Sequence, residues 1–169
     1  GLTMKPVFAK AKTQPVRVIY AEGEDERVLR ATQVVLEEKL ARPILVGRPS
    51  VVETRIKRFG LSIKAGRDFD LVNPEDDPRY RSYVQSYIDL AGRRGVTPEA
   101  ARTVVRTNNT VIAALAVSRG EADAMICGLV GRFHKKLGYL RSVFDFQPGV
   151  TGTAAMTGVI NDKGAWFLD

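Results

Sequence analysis

The stretch Val16-Arg17-Val18-Ile19-Tyr20-Ala21-Glu22-Gly23-Glu24-Asp25-Glu26 decides the fold. Apart from Arg17, its first six residues are apolar or aromatic, and Pro15 and Glu22-Gly23 bound them. A short apolar run of this kind reads as a buried strand of a parallel sheet. The acidic triplet Glu24-Asp25-Glu26 then suits the positive end of a helix dipole. Val28, Leu29, Ala31, Val34, Val35 and Leu36 follow at helical spacing and form one apolar stripe. Pro43-Ile44-Leu45-Val46-Gly47 is a second buried strand. Strand, helix, strand is a βαβ unit, which crosses over right-handed.

The alternation continues along the chain. Ser50 is placed to cap a helix over residues 51–59, with Gly60 ending it. Phe69-Asp70-Leu71-Val72 reads as a third strand, and Asn73-Pro74 as the turn after it. Asp77-Pro78 and Thr97-Pro98 each set a capping residue before a proline at a first helical position. Asn108 or Asn109 is expected to cap a helix whose apolar face is Val111, Ile112, Leu115 and Ala116, closed by Gly120. Ala124-Met125-Ile126-Cys127 is a fourth strand, followed by a basic helix over residues 132–144.

Beyond Pro148-Gly149 two small apolar strands flank the turn Asn161-Asp162-Lys163-Gly164. A two-stranded ribbon is marginal alone. The chain therefore reads as part of a larger protein. Residues 1–15 are a leader, helical or extended, residues 16–147 an α/β domain, and residues 148–169 the start of a second lobe. The expected fold class is α/β, three-layer, with a mostly parallel sheet flanked by helices.

Composition narrows the function. The chain has 169 residues, 44% hydrophobic and 27% charged, the balance of a globular domain. It contains no apolar run of about 18 residues, so no spanning helix and no membrane partner are expected. No secretory signal is visible, and a reducing cytoplasm fits the single Cys127. One cysteine and one histidine cannot build a zinc cage, so no metal is expected here. The net charge of +7 invites a polyanion. The basic residues are scattered, however, without an RNA-binding signature or finger spacing, so nucleic acid is not an expected partner.

In open α/β sheets, ligands bind beyond the carboxyl ends of the strands. That rim gathers Ala21-Glu22-Gly23, Gly47-Arg48, Asn73-Pro74 and the segment from Gly128 to Arg132. Arg27 is placed to hold an anion there, or to pair with a local carboxylate. The run from Gly128 to Lys136 combines two glycines, Gly128 and Gly131, a helix start and the three cations Arg132, Lys135 and Lys136, which suits a phosphate. The segment is neither a Walker A sequence nor G-x-G-x-x-G, and a plain turn with a basic face is equally compatible with it. Cys127 in an apolar strand reads as a small hydrophobe rather than a nucleophile, and His134 as a surface residue. Tyr80, Tyr83 and Tyr87 at helical spacing read as packing.

Residues Val18-Ile19-Tyr20-Ala21-Glu22-Gly23-Glu24-Asp25-Glu26-Arg27 resemble the opening of the phosphate acetyltransferase (phosphotransacetylase) family. Gly120-Glu121-Ala122-Asp123-Ala124-Met125-Ile126-Cys127-Gly128 resembles the same family's Gly-Asp-Ala-Asp-Gly-hydrophobic-hydrophobic-Ser-Gly segment. The leader from Met4 to Lys12, Arg106-Thr107-Asn108-Asn109-Thr110, and the run from Cys127 to His134 are similar to a subgroup. That subgroup is the phosphotransacetylase-like C-terminal domain of bacterial NADP-dependent malic enzyme.

The resemblance implies a phosphotransacetylase/isocitrate-dehydrogenase-like sheet. Gly138 falls where the family's phosphate- or CoA-binding arginine aligns, with Arg141 a turn later. The family's catalytic Asn-Asp-Leu-Ser-Arg-Gly-type segment has no counterpart in these residues. The resemblance therefore implies a regulatory domain that is not catalytic by itself. It would sense acetyl-CoA and support a homo-oligomer, attached to a catalytic part that uses NADP and Mg or Mn on malate. A fragment of an active phosphate acetyltransferase is the alternative. Arg27, Gly128, Gly131, Arg132, Lys135 and Arg141 are the expected CoA or phosphate contacts, with no cofactor of the domain's own.

Overall fold

The computed structural model describes residues 4–154, 156–161 and 163–168, without the side chains at 157, 160, 161 and 166–168. The parts of the expected leader and hairpin at 1–3, 155, 162 and 169 lie outside the described residues. Strands β1 (Val16–Tyr20), β2 (Ala41–Val46), β3 (Asp70–Val72) and β4 (Ala124–Ile126) form one sheet in the order β3-β2-β1-β4. All three pairings are parallel, with Val18 opposite both Pro43 and Ala124, and Val46 opposite Val72.

Side chains alternate across a strand, and here that alternation feeds two cores. Ile19, Ile44, Val46, Val72 and Met125 join the first. Val18, Tyr20, Leu45 and Leu71 join the second. The second core is closed by α2 (Glu26–Glu37) and α3 (Pro49–Arg58), through Val28, Leu29, Val52 and Ile56. The first is closed by α4 (Tyr80–Ala91), α5 (Pro98–Thr107), α6 (Asn109–Ser118) and α7 (Phe133–Val143). Helix, sheet and helix are the three layers expected.

The α6 helix runs through the centre of its layer, and each residue from Thr110 to Ala116 is buried. A helix apolar on all sides must be enclosed, and α6 touches β1, β2, β4, α4, α5 and α7. At its far end Arg17 ties the turn after α6 to β1. Its guanidinium donates to Asp123 Oδ1 at 2.9 Å, to the Gly120 carbonyl at 2.9 Å and to the Glu121 carbonyl at 3.1 Å.

Several local expectations shift. Ser50 is not a cap: α3 starts at Pro49 after Arg48, which makes no side-chain capping bond. The proline's fixed φ suits a first helical position, so it sets the start one residue earlier. Pro78 sits in a turn and α4 begins at Tyr80, two residues later than expected, although the Asp77 carboxylate does accept from the Arg79 N–H at 2.8 Å, the bond a capping residue makes. Asn108 holds the N-cap position of α6, yet its amide donates back to the Val104 carbonyl at 3.0 Å. Thr97 caps α5 as expected, accepting from the Ala100 N–H at 3.2 Å. The leader forms α1 (Met4–Thr13), which buries none of its residues. Strands β5 (Thr157–Asn161) and β6 (Gly164–Leu168) pair antiparallel as a separate ribbon. Among the described residues, no helix is long and apolar enough to cross a membrane.

Candidate functional site

The turns leaving β1 and β2 are locked together at the sheet's carboxyl rim. The Gly23 N–H donates to the Val46 carbonyl, and the Gly47 N–H to the Val72 carbonyl, each at 3.0 Å. A Cβ at Gly23 would stand 2.7 Å from the Val46 oxygen and 2.8 Å from Leu45 Cβ, so only glycine fits. The Glu24 carboxylate takes a two-pronged grip from Arg48, with Nε at 2.8 Å and an η nitrogen at 2.9 Å. Those charge-assisted bonds hold Glu24 below the usual carboxylate range, against partial burial. Arg55, from α3, donates to the Glu24 carbonyl.

Behind this turn lies a cleft of about 330 Å³. Glu22 and Lys136 close one side of it. Glu22 Oε1 accepts from the Gly128 N–H at 3.1 Å and pairs with Lys136 Nζ at 3.2 Å. Lys136 Nζ also donates to the hydroxyl of buried Thr110 at 2.8 Å. One lysine thus links β1, α6 and α7. The start of α6 contributes Asn109, and Thr107, Asn108 and Val130 also line the cleft. Neither α6 nor α7 has an acidic residue in its first turn to occupy its N–H donors.

The six residues singled out from the sequence do not all converge. Gly128 and Gly131 lie in the loop from β4 to α7 with φ of +107° and +93°. Those values favour glycine. Arg132 follows at the N-cap of α7, and Lys135 sits exposed in its first turn. Neither side chain has a hydrogen-bonded or ionic partner among the described residues. Arg27 grips Asp25, with η nitrogen to Oδ2 at 3.0 Å, and holds that carboxyl below its ordinary range. The local pairing weighed for Arg27 is therefore formed. Arg141 lies elsewhere, 5.1 Å above the Phe146 ring, in a second cleft of about 420 Å³ that Gly138 also lines.

Glu22, Thr110 and Arg55 were not singled out, and Lys136 only as one of three cations suited to a phosphate. Lys136 had a signal: it stands one and two turns before Leu140 and Val143, in phase with the buried stripe of α7. A lysine in an apolar stripe asks for a partner. Cys127 packs against the first core, and burial, reinforced by Glu22, pushes its thiol up, which favours a thiol over a thiolate. Tyr83 and Tyr87 are packed in the core. No cluster able to hold a metal ion exists among the described residues.

An all-parallel sheet covered on both faces by helices, with a polar cleft at its strand ends, defines an open α/β domain. The profile of the phosphate acetyl/butaryl transferase family matches residues 2–169, and the chain belongs to that family. It is 58% identical over 169 residues to the NAD-dependent malic enzyme of Rhizobium meliloti (strain 1021), covering 99% of this chain and 22% of that protein. It is 48% identical over 168 residues to the NADP-dependent malic enzyme of Escherichia coli (strain K12), with the same two coverages. The phosphate acetyltransferase of Nitratidesulfovibrio vulgaris is 30% identical over 148 residues, covering 86% of this chain and 20% of its own length. The chain thus spans about a fifth of these relatives. Among solved structures, the EutD phosphotransacetylase from Staphylococcus aureus superposes with a TM-score of 0.82 at 23% identity, covering 97% of this chain and 49% of that one. That likeness concerns the fold.

Proposed function

We propose that this chain is a regulatory, acetyl-CoA-sensing domain of a malic enzyme. Identity carries the reading: 58% and 48% to two malic enzymes against 30% to a phosphate acetyltransferase. In this reading the parent protein oxidatively decarboxylates malate with NADP or NAD and a divalent Mg or Mn ion, in a catalytic part outside these residues. The domain works in the cytoplasm as part of a homo-oligomer. Acetyl-CoA binds at the strand-end rim, its phosphates meeting Arg132 and Lys135 beside the turn that Gly128 and Gly131 form. Arg27, held by Asp25, and Arg141, in the cleft that Gly138 lines, stand apart from these contacts.

The chemistry of the rim supports binding rather than acyl transfer. Arg27 is neutralised by Asp25 of its own turn, Arg48 by Glu24 of the neighbouring turn, and Lys136 by Glu22. Arg132 and Lys135 are left to meet phosphate. Cys127 stays protonated, and a thiol is a poor nucleophile beside a thiolate. Inhibition requires acetyl-CoA to favour one state of the parent, and such couplings are worth about 1–3 kcal/mol. The test compares the parent protein with and without this region. Malate turnover is expected to survive removal, and inhibition by acetyl-CoA to vanish. Inhibition that persists, or robust formation of CoA and acetyl phosphate from acetyl-CoA and phosphate by the parent, would reject the reading.

A further inference from the structure

We propose that Phe133 stacks the adenine ring of acetyl-CoA, a contact that rests on the acetyl-CoA reading and deepens it. The nucleotide end of the ligand, rather than its acetyl end, then carries most of the affinity. Leu129, Val130 and Phe133 are exposed where β4 leads into α7, and Val130 also lines the rim cleft. Phe133 is the most open of the three, at 62% exposure. A phenyl ring gains much by burial against another flat ring. Here its ring neighbour is His134, edge-on at 5.6 Å and 71°. None of the cation–ring contacts among the described residues involves Phe133.

Helix geometry sets this ring beside the free cations. Lys136 faces the rim cleft, held by Glu22 and Thr110. Phe133 lies about 60° from it around α7, with Arg132 about 40° and Lys135 about 100° the other way. A flat ring on one side of Lys136 and two unpaired cations on the other match a nucleotide, whose base and phosphates stand one ribose apart. A simple polyphosphate would leave Phe133 bare, and an apolar ligand would leave both cations unanswered. The rim cleft gives the acyl arm less. Glu22, Glu24 and Asp25 line it and are already paired, with Lys136, Arg48 and Arg27. The Asn108 amide is engaged by the Val104 carbonyl. Trading one satisfied partner for another gains little.

Isothermal titration of the parent protein is the test. Free CoA is expected to bind within about threefold of acetyl-CoA. The nucleotide half alone, 3′-phosphoadenosine 5′-diphosphate, is expected to displace acetyl-CoA with a Kd within about tenfold of it. Phe133→Ala is expected to weaken acetyl-CoA about fivefold or more, the low end of what stacking one base is worth. Phe133→Trp should hold affinity within about twofold. The salt dependence of binding should be the same in Phe133→Ala, because Arg132 and Lys135 remain. Phe133 is exposed, so both variants should fold, and unchanged unfolding midpoints verify that. Acetyl-CoA bound as tightly by Phe133→Ala would overturn the stacking, as would a nucleotide half that fails to displace it. With inhibition by acetyl-CoA intact, either result leaves the regulatory reading standing. Absence of any acetyl-CoA binding would overturn both.

Discussion

Lys136 Nζ lies 3.2 Å from Glu22 Oε1, joining a helix of one layer to the carboxyl end of the central strand. Both side chains are largely shielded, at 23% and 11% exposure. The third partner, Thr110, is at 1% exposure. Removing the ammonium leaves a shielded carboxylate and a buried hydroxyl without it. Lys136→Met, which keeps the packing stem, is expected to cost about 1–3 kcal/mol in urea unfolding. Glu22→Gln should cost less, because an amide oxygen still accepts from the Gly128 N–H. An unchanged midpoint for Lys136→Met would show that the link contributes nothing.

Two glycines give opposite expectations. Gly23→Ala forces a Cβ to 2.7 Å from the Val46 oxygen and is expected to destabilise by about 1–3 kcal/mol. Gly138 lies inside α7 with nothing within 4 Å of an added Cβ. Gly138→Ala is expected to stabilise by about 0.5–1 kcal/mol, since alanine loses less backbone entropy in a helix. Thermal unfolding of both variants checks the pair.

Thr97→Ala removes a formed cap and is expected to cost about 1 kcal/mol. Ser50→Ala touches no cap bond and should change stability by less than about 0.5 kcal/mol. Equal losses in denaturant midpoint would contradict this assignment of the α3 start.

Asp123 is held down at about 2, chiefly by its hydrogen bonds from Arg17, against an ordinary value of 3.8. A depressed carboxyl stabilises the fold above its unfolded pKa and loses that contribution as pH falls through its folded pKa. The stability gap between the native chain and Asp123→Asn is therefore expected to be full above about pH 4 and to close toward pH 2. Urea midpoints measured at steps across that interval read it directly. A gap that stays constant down to pH 2 would show that the pair with Arg17 is not formed.

If the rim binds acetyl-CoA as proposed, its free cations carry the phosphate attraction. Arg132→Glu with Lys135→Glu is expected to weaken CoA binding by about tenfold or more, and to flatten its salt dependence. Isothermal titration at two ionic strengths measures both. Lys10→Glu, on the exposed face of α1, serves as the charge control and should leave affinity within about twofold.

Local residue order is enough to set the layers. Apolar runs such as Val18-Ile19-Tyr20 and Ile44-Leu45-Val46, separated by an amphipathic α2, dictate parallel strands covered on both faces. Thr97-Pro98 dictated the start of α5, because a cap and a proline act within one turn of chain. The family resemblance, too, rested on local strings near Glu22 and Cys127. What those strings left open was which side chains meet across the fold. Tertiary structure chose Lys136 over neighbouring Lys135, since a helix turns about 100° per residue and only one of the two faces Glu22 and Thr110. It moved Arg141 to a different cleft, and spent Arg27 on Asp25. Such pairings depend on distances between residues far apart in the chain, and these exist only once α6, α7 and the sheet have packed.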